Sequence, residues 1–377
     1  IRLSDAWDLV VLLDGDPATL RRNRTRTVEF LETCRAHMRS DGVLVMRVGV
    51  SDTYIGGTGG RLLSALASTL RRVFERLVVI PGEEILLVAS GPLGRLDLDH
   101  DVLTDRLERA APARSELLPE MVPLFVDRDR ATDLSARLSL DSAPNTIRNP
   151  RAVLLAGALH EARVFPDLLP AVAALERGGP RVLVLIAGGA VLALLSTTVF
   201  RKIAVGASAA AVGFCSMGWW LLLIAAWQST RGTVYSEIGA LNALFMAGLA
   251  AGAMAASRWP SPERKVPLIL GGGVLLSLGL AAGISLVSPG ITIPVLLAAG
   301  GALTGAAFPG LARLSSLGTR RSAGVAFAAD EAGAAIAALT IGIFTVPLAG
   351  LTATAWWLAI LQLAAVPVAL TALRKVT

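Results

Sequence analysis

The sequence predicts an α/β domain, the second half of a doubly wound sheet, followed by an all-α domain that forms a multi-helix transmembrane bundle. Three observations lead there. Apolar residues fill 54% of the 377 positions and mean hydropathy is positive, above the range of an ordinary soluble enzyme. Charge is uneven: acids and bases are frequent up to about Pro180 and confined mainly to short clusters beyond Arg181. Beyond that point apolar runs recur near the roughly 20 residues that a bilayer requires. Seven such runs fall near 181–200, 203–227, 238–257, 266–287, 291–312, 324–347 and 351–373.

The N-terminal elements follow in order. "WDLVVLLD" is a short continuous apolar run, the pattern of a strand covered on both faces. A turn-rich "GDPATLRRNRT" leads into a helix over about Thr27–Arg39, ended by "SDG", and then a strand over Gly42–Val50. "GGRLLSALASTLRRVF" has helical spacing, with Leu62, Leu66 and Leu70 on one face. "RLVVI" and "ILLVAS" read as a hairpin turning at Pro81 and Gly82. Strand, helix, strand, helix and hairpin make half of an α/β sheet with an antiparallel edge. The other half is expected before Ile1, because the chain opens on the approach to a strand. "GGTGG" at 56–60 lacks the full dinucleotide spacing and reads as a plain loop. A charged, loop-rich stretch over 101–150 and a Pro/Gly juncture complete this half. The domain limits are 1–165, a linker at 166–180, and 181–377 with about seven helices.

Several function classes drop out. The net charge of +6 comes partly from basic clusters that flank the apolar runs, which indicates membrane-surface contact. No basic stripe with interleaved aromatics supports nucleic-acid binding. Cys34 and Cys215 lie in different halves, so neither a disulfide framework nor a cysteine metal site is expected. His37, His100 and His160 are far apart and read as solvated surface residues without metal-ligand spacing. Ser51 and Thr53 form no nucleophile elbow.

Two regions together resemble one family. "DLVVLLDGDPATLRRNRTRTVEFLETCRAHMRSDGVLVMRVG" is similar to spermidine synthases (polyamine aminopropyltransferases). "GALTGAAFPGLARL" and "GVAFAADEAGAAIAALTIGIF" resemble the C-terminal membrane region of fused, membrane-bound members of that family. The resemblance implies a methyltransferase-fold sheet and transfer of an aminopropyl group from decarboxylated S-adenosylmethionine to a polyamine. Such a transfer needs carboxylates, since the amine nucleophile must be held and must lose its proton. In the family turn Asp-x-x-Asp-Pro, Asp16 and Pro17 match the second half while Leu13 stands at the first acid; Asp14 is adjacent but would point to the opposite face. "NTIRNP" places Ile147 where the family has another acid, and Tyr54 matches a substrate-binding position. The candidate catalytic residues are therefore Asp14 and Asp16, weighed against an acidic turn that merely caps a strand end. With two acidic positions apolar, enzyme activity stays open. The alternative is a small-solute or polyamine transporter, or a membrane scaffold, with a non-catalytic Rossmann-like domain. Expected partners are the lipid bilayer, a polyamine and a second copy of the chain, in a bacterial cell membrane.

Within the spans Asp330 and Glu331 stand among alanines and glycines, and Asn242 and Gln362 are the other notable polar residues. A carboxylate in hydrocarbon costs about 2.5–3.5 kcal/mol on insertion scales. An Asp330–Arg313 clamp would offset that, with Glu331 reaching the headgroups, Arg320 or Arg321; a transport role is the alternative. Glycines four apart, Gly248/Gly252, Gly279/Gly283 and Gly301/Gly305, predict close helix contacts. Ten bases after the odd-numbered spans against three on the other side put the C-terminus in the cytoplasm and, with seven spans, the soluble domain outside.

Overall fold

A computed structural model of the chain describes residues 6–55, 57–110, 118–139, 142–161, 168–199, 201–231, 235–283, 290–314 and 319–373. The chain divides into two compact units, Ile1–Ala174 and Leu175–Thr377.

The first unit carries strands β1 (Trp7–Leu12), β2 (Met38–Val48), β3 (Arg76–Ile80) and β4 (Ile85–Ser90). Its helices are α1 (Leu20–Asn23), α2 (Val28–Ala36), α3 (Gly57–Arg71), α4 (His100–Ala110), α5 (Val122–Phe125), α6 (Arg128–Arg137) and α7 (Arg151–Glu161). The sheet order is β1-β2-β4-β3. β1 and β2 are parallel, with Val10 opposite Leu44; β4 runs antiparallel to both β2 and β3. A parallel pair needs a crossover, which α2 provides. Alternation along the strands builds the core: Leu44, Met46 and Val48 of β2 and Ile85, Leu87 and Ala89 of β4 share one buried face. Leu62, Leu66 and Leu70 of α3 complete that core, as their spacing predicts, each buried leucine stabilising by about 2 kcal/mol.

Three local expectations change. β1 is not covered on both faces: it lies at the sheet edge, and Leu9 and Val11 are exposed. β2 starts at Met38, taking in residues expected to close the preceding helix. Gly57–Gly60 form the first turn of α3 instead of a loop.

The second unit is helical. α8 (Leu168–Ser196) begins inside the first unit's limits and covers most of the linker expected at 166–180. Then follow α9 (Arg201–Arg231), α10 (Tyr235–Ser257), α11 (Pro262–Gly283), α12 (Thr292–Leu314), α13 (Thr319–Ala337) and α14 (Val346–Leu373), with a π-helical stretch Ala338–Thr345 between the last two. Among the described residues, six helical segments are long and apolar enough to cross a membrane. Leu185, Leu192, Leu268 and Leu275 are largely exposed on their surface, as lipid-facing residues would be.

The last segment, Ala323–Leu373, has 51 residues and contains both of the spans expected at 324–347 and 351–373. It is broken at Gly350, whose φ of 86° and ψ of 172° only glycine adopts readily. Ile341 and Leu358 both lie against Gly218. On one continuous helix they would stand about 25 Å apart, at about 1.5 Å per residue. The segment therefore doubles back.

Close glycine contacts hold the bundle together. A Cβ on Gly248 or Gly252 would overlap the carbonyls of Ala298 and Ala302, and one on Gly301 or Gly305 those of Phe245 and Leu249. Numbers rise together on both helices, so α10 and α12 run parallel. Gly213 and Gly333 join α9 to α13 in the same manner, against Asp330 and Ala210. Among the described residues nothing lies near a Cβ on Gly279 or Gly283, so that pair packs no neighbouring helix there.

Candidate functional site

Ligands of open α/β sheets bind beyond the carboxyl ends of the strands. In the first unit those ends, of β1 and β2, converge on one side chain, Arg26. It is fully buried, which is rare for an arginine. Thr27 caps the following helix by accepting the Phe30 N–H, which fixes the chain just after Arg26. The guanidinium donates to the carbonyls of Arg47 (2.6 Å), Gly15 (3.4 Å) and Asp14, and to the Asp14 carboxylate (3.3 Å). Burial lowers the Arg26 pKa from its ordinary value, while Asp14 and Asp16 pull it back up. The group thus ties the end of β1 to the end of β2 with a positive charge between two acids.

Asp14 is engaged twice: it accepts from Arg26 and, at 2.6 Å, from the Thr25 hydroxyl. No bulge turns it toward the position of Leu13, since the register irregularity of β1 falls between Trp7 and Leu9. Leu13 is exposed, and its carbonyl accepts from Arg47 at 3.2 Å. Asp16 accepts the Gly49 N–H at 2.8 Å, and a Cβ on Gly49 would overlap the Asp16 carboxylate. Tyr54 closes the short turn Asp52–Tyr54 that follows β2. Asp52, nearby in the chain, pairs with Arg130 of α6.

"NTIRNP" is a second clamp. The buried Asn145 amide donates at 2.8 Å to Asn23 and to the Arg26 carbonyl, and its oxygen accepts the Ala152 N–H. Its backbone N–H donates to Thr69 at 2.8 Å, and its carbonyl accepts from Val28. The Ile147 N–H donates to the Glu29 carboxylate at 3.0 Å. Arg26 is the residue that spacing did not single out, and the motif that contains Asn145 did not reveal its partners. "RRNRTR" offers four arginines with nothing to mark the buried one.

The histidines are not all solvated. His37 stacks on Trp7 and contacts the Thr33 carbonyl, His100 contacts the Val126 carbonyl at 2.6 Å, and His160 alone is exposed. Burial pushes the Cys34 thiol up to about 11, so it is no ready nucleophile.

In the membrane unit the Asp330–Arg313 clamp does not form. Arg313 reaches the Pro260 carbonyl (3.4 Å) and the Glu263 carboxylate (3.8 Å), both near the start of α11. Among the described residues it makes no ion pair with α13. Asp330 is half-buried with its backbone against Gly213, and makes no ion pair among the described residues. Glu331 is exposed, as expected; the side chains of Arg320 and Arg321 lie outside the described residues. Deeper in the bundle the Trp219 indole donates to Ser277 at 2.8 Å, and buried Gln362 sits over Gly273. Asn242 is exposed.

The Asp14–Arg26–Asp16 arrangement can fix two strand ends. Asp14, already held by a guanidinium and a hydroxyl, has few acceptor sites left for a substrate. No protein-family model matches the chain, and no curated protein matches it.

Proposed function

We propose that the chain is a membrane-anchored, spermidine synthase-like protein in which the family's acidic turn has become a fold clamp. On this reading Asp14 and Asp16 do not carry out aminopropyl transfer. The strand order supports the family reading: a parallel pair crossed by α2, then a hairpin that sets antiparallel β4 between β2 and β3. The observation that carries the clamp is the complete burial of Arg26 on the Asp14 carbonyl and carboxylate. Decarboxylated S-adenosylmethionine is a cation, and so is protonated putrescine. A site for either needs uncommitted carboxylate, and a buried guanidinium beside it works against both. The residues present therefore do not fit that co-substrate.

The test is spermidine production by the full chain in nanodiscs, given putrescine and decarboxylated S-adenosylmethionine. None above a protein-free control is expected. Spermidine formation that Asp16→Asn abolishes, with melting temperature unchanged, would overturn the proposal.

A second reading, transport of a small cation by the membrane unit, gains from one observation: among the described residues Asp330 has no basic partner that would make it purely structural. Labelled putrescine uptake into vesicles, lost in Asp330→Asn, would favour it; equal uptake with and without the protein would remove it.

A further inference from the structure

Helices α10 and α11 are joined by a tight turn, yet beyond it they scarcely touch each other. Each packs instead on α12. The result is an opening between α10 and α11 with α12 as its floor. Val295, Ala299 and Arg313 of α12 remain exposed along it, and Ala302 and Ala306 are half-buried. The first four recur every three or four residues and Arg313 lies two turns beyond the last, so they form one stripe down the helix. Alanines make most of the floor, so short side chains line it.

One mouth of the opening is strongly basic. Arg258, Arg264, Lys265 and Arg313 are all exposed there. The acid among them, Glu263, has a side chain only 16% exposed and faces Arg313. Lys265 stands 4.5 Å over the ring of Trp259, just past the end of α10, and indoles are enriched at membrane interfaces. Just inward, Met254 and Leu268 are exposed. At the other end of α10 the charges are Glu237 and Arg231, both engaged with Trp227. Polar, basic and apolar parts thus follow one another in the order of a phospholipid.

We propose that this opening binds an anionic phospholipid, its phosphate held by Arg258, Lys265 and Arg313 and one acyl chain lying on the alanine floor of α12. Juxtamembrane bases attract anionic headgroups, and basic pockets between spanning helices hold them specifically. The site is independent of the first unit and of any aminopropyl chemistry.

Native mass spectrometry of the full chain, released from detergent with mixed phosphatidylglycerol and phosphatidylcholine, tests it. Phosphatidylglycerol should be retained in preference. Arg258→Gln with Lys265→Gln should weaken retention by about 30-fold, and Ala299→Phe should weaken it without removing a charge. Inorganic phosphate should not displace the lipid. Equal retention of both lipids, or full retention by the double variant, would overturn the proposal. So would retention unaffected by Ala299→Phe, displacement by inorganic phosphate, or a dimer that forms without lipid preference.

Discussion

Arg26 concentrates the physics of the first unit in one side chain. Three carbonyls at the ends of β1 and β2 accept from it. Arg26→Met keeps much of the volume but strands those acceptors, so it should cost roughly 2–4 kcal/mol. Asp14→Asn should cost under about 1 kcal/mol, because the Asp14 side chain is 38% exposed and its charge is screened. Unfolding of the full chain followed by Trp7 fluorescence checks both; a larger loss for Asp14→Asn would make the carboxylate, not the carbonyls, the point of the clamp. Asn145→Ala removes an amide whose two hydrogens and oxygen are all engaged, and should cost about 3 kcal/mol in the same assay. These clamps were only half legible. The acids of "DGDP" and the "NT" of "NTIRNP" stand out in the chain, but their partners are 12 to 122 residues away, and no local period encodes that.

The elements divide by how local their cause is. Strand and helix periods in the first unit were readable because burial alternates with the pleat and the turn: Leu62, Leu66 and Leu70 are all in the core. Edge position is not a local property, so the exposure of Leu9 and Val11 on β1 could not be read from an apolar run. Glycine spacing behaves likewise. Gly248/Gly252 and Gly301/Gly305 met each other, whereas Gly279/Gly283, with the same spacing, met nothing. A simple contrast follows. Gly252→Ala and Gly305→Ala should each destabilise the bundle by about 1–3 kcal/mol, because the added carbon must push a backbone carbonyl away. Gly279→Ala should be neutral or stabilise by up to about 1 kcal/mol, since only chain entropy changes. Melting temperatures in one detergent decide; equal losses at the three positions would mean that helix contacts are not set by these glycines. Asp330 and Arg313 were matched by depth alone, and the start of α11, closer to Arg313, took that base instead.

At the scale of the whole molecule, the account rests on a membrane bundle whose final segment crosses twice. Parallel packing of α10 with α12, and of α9 with α13, is what single crossings by the intervening helices produce. The break at Gly350 then adds one crossing to the six apolar segments. Basic residues gather at the ends near 201, 258–265, 313 and 374, which the positive-inside rule places in the cytoplasm. The decisive measurement is sided labelling of the full chain in right-side-out vesicles, with Cys34 and Cys215 changed to serine. Thr319→Cys, Ala349→Cys and Val376→Cys, tested singly, would report the two ends and the middle of the last segment. Positions 319 and 376 should react only after the vesicles are opened, while position 349 should react from outside. Labelling of 319 and 376 from opposite faces would contradict this, because a segment that crosses once cannot fold back at Gly350.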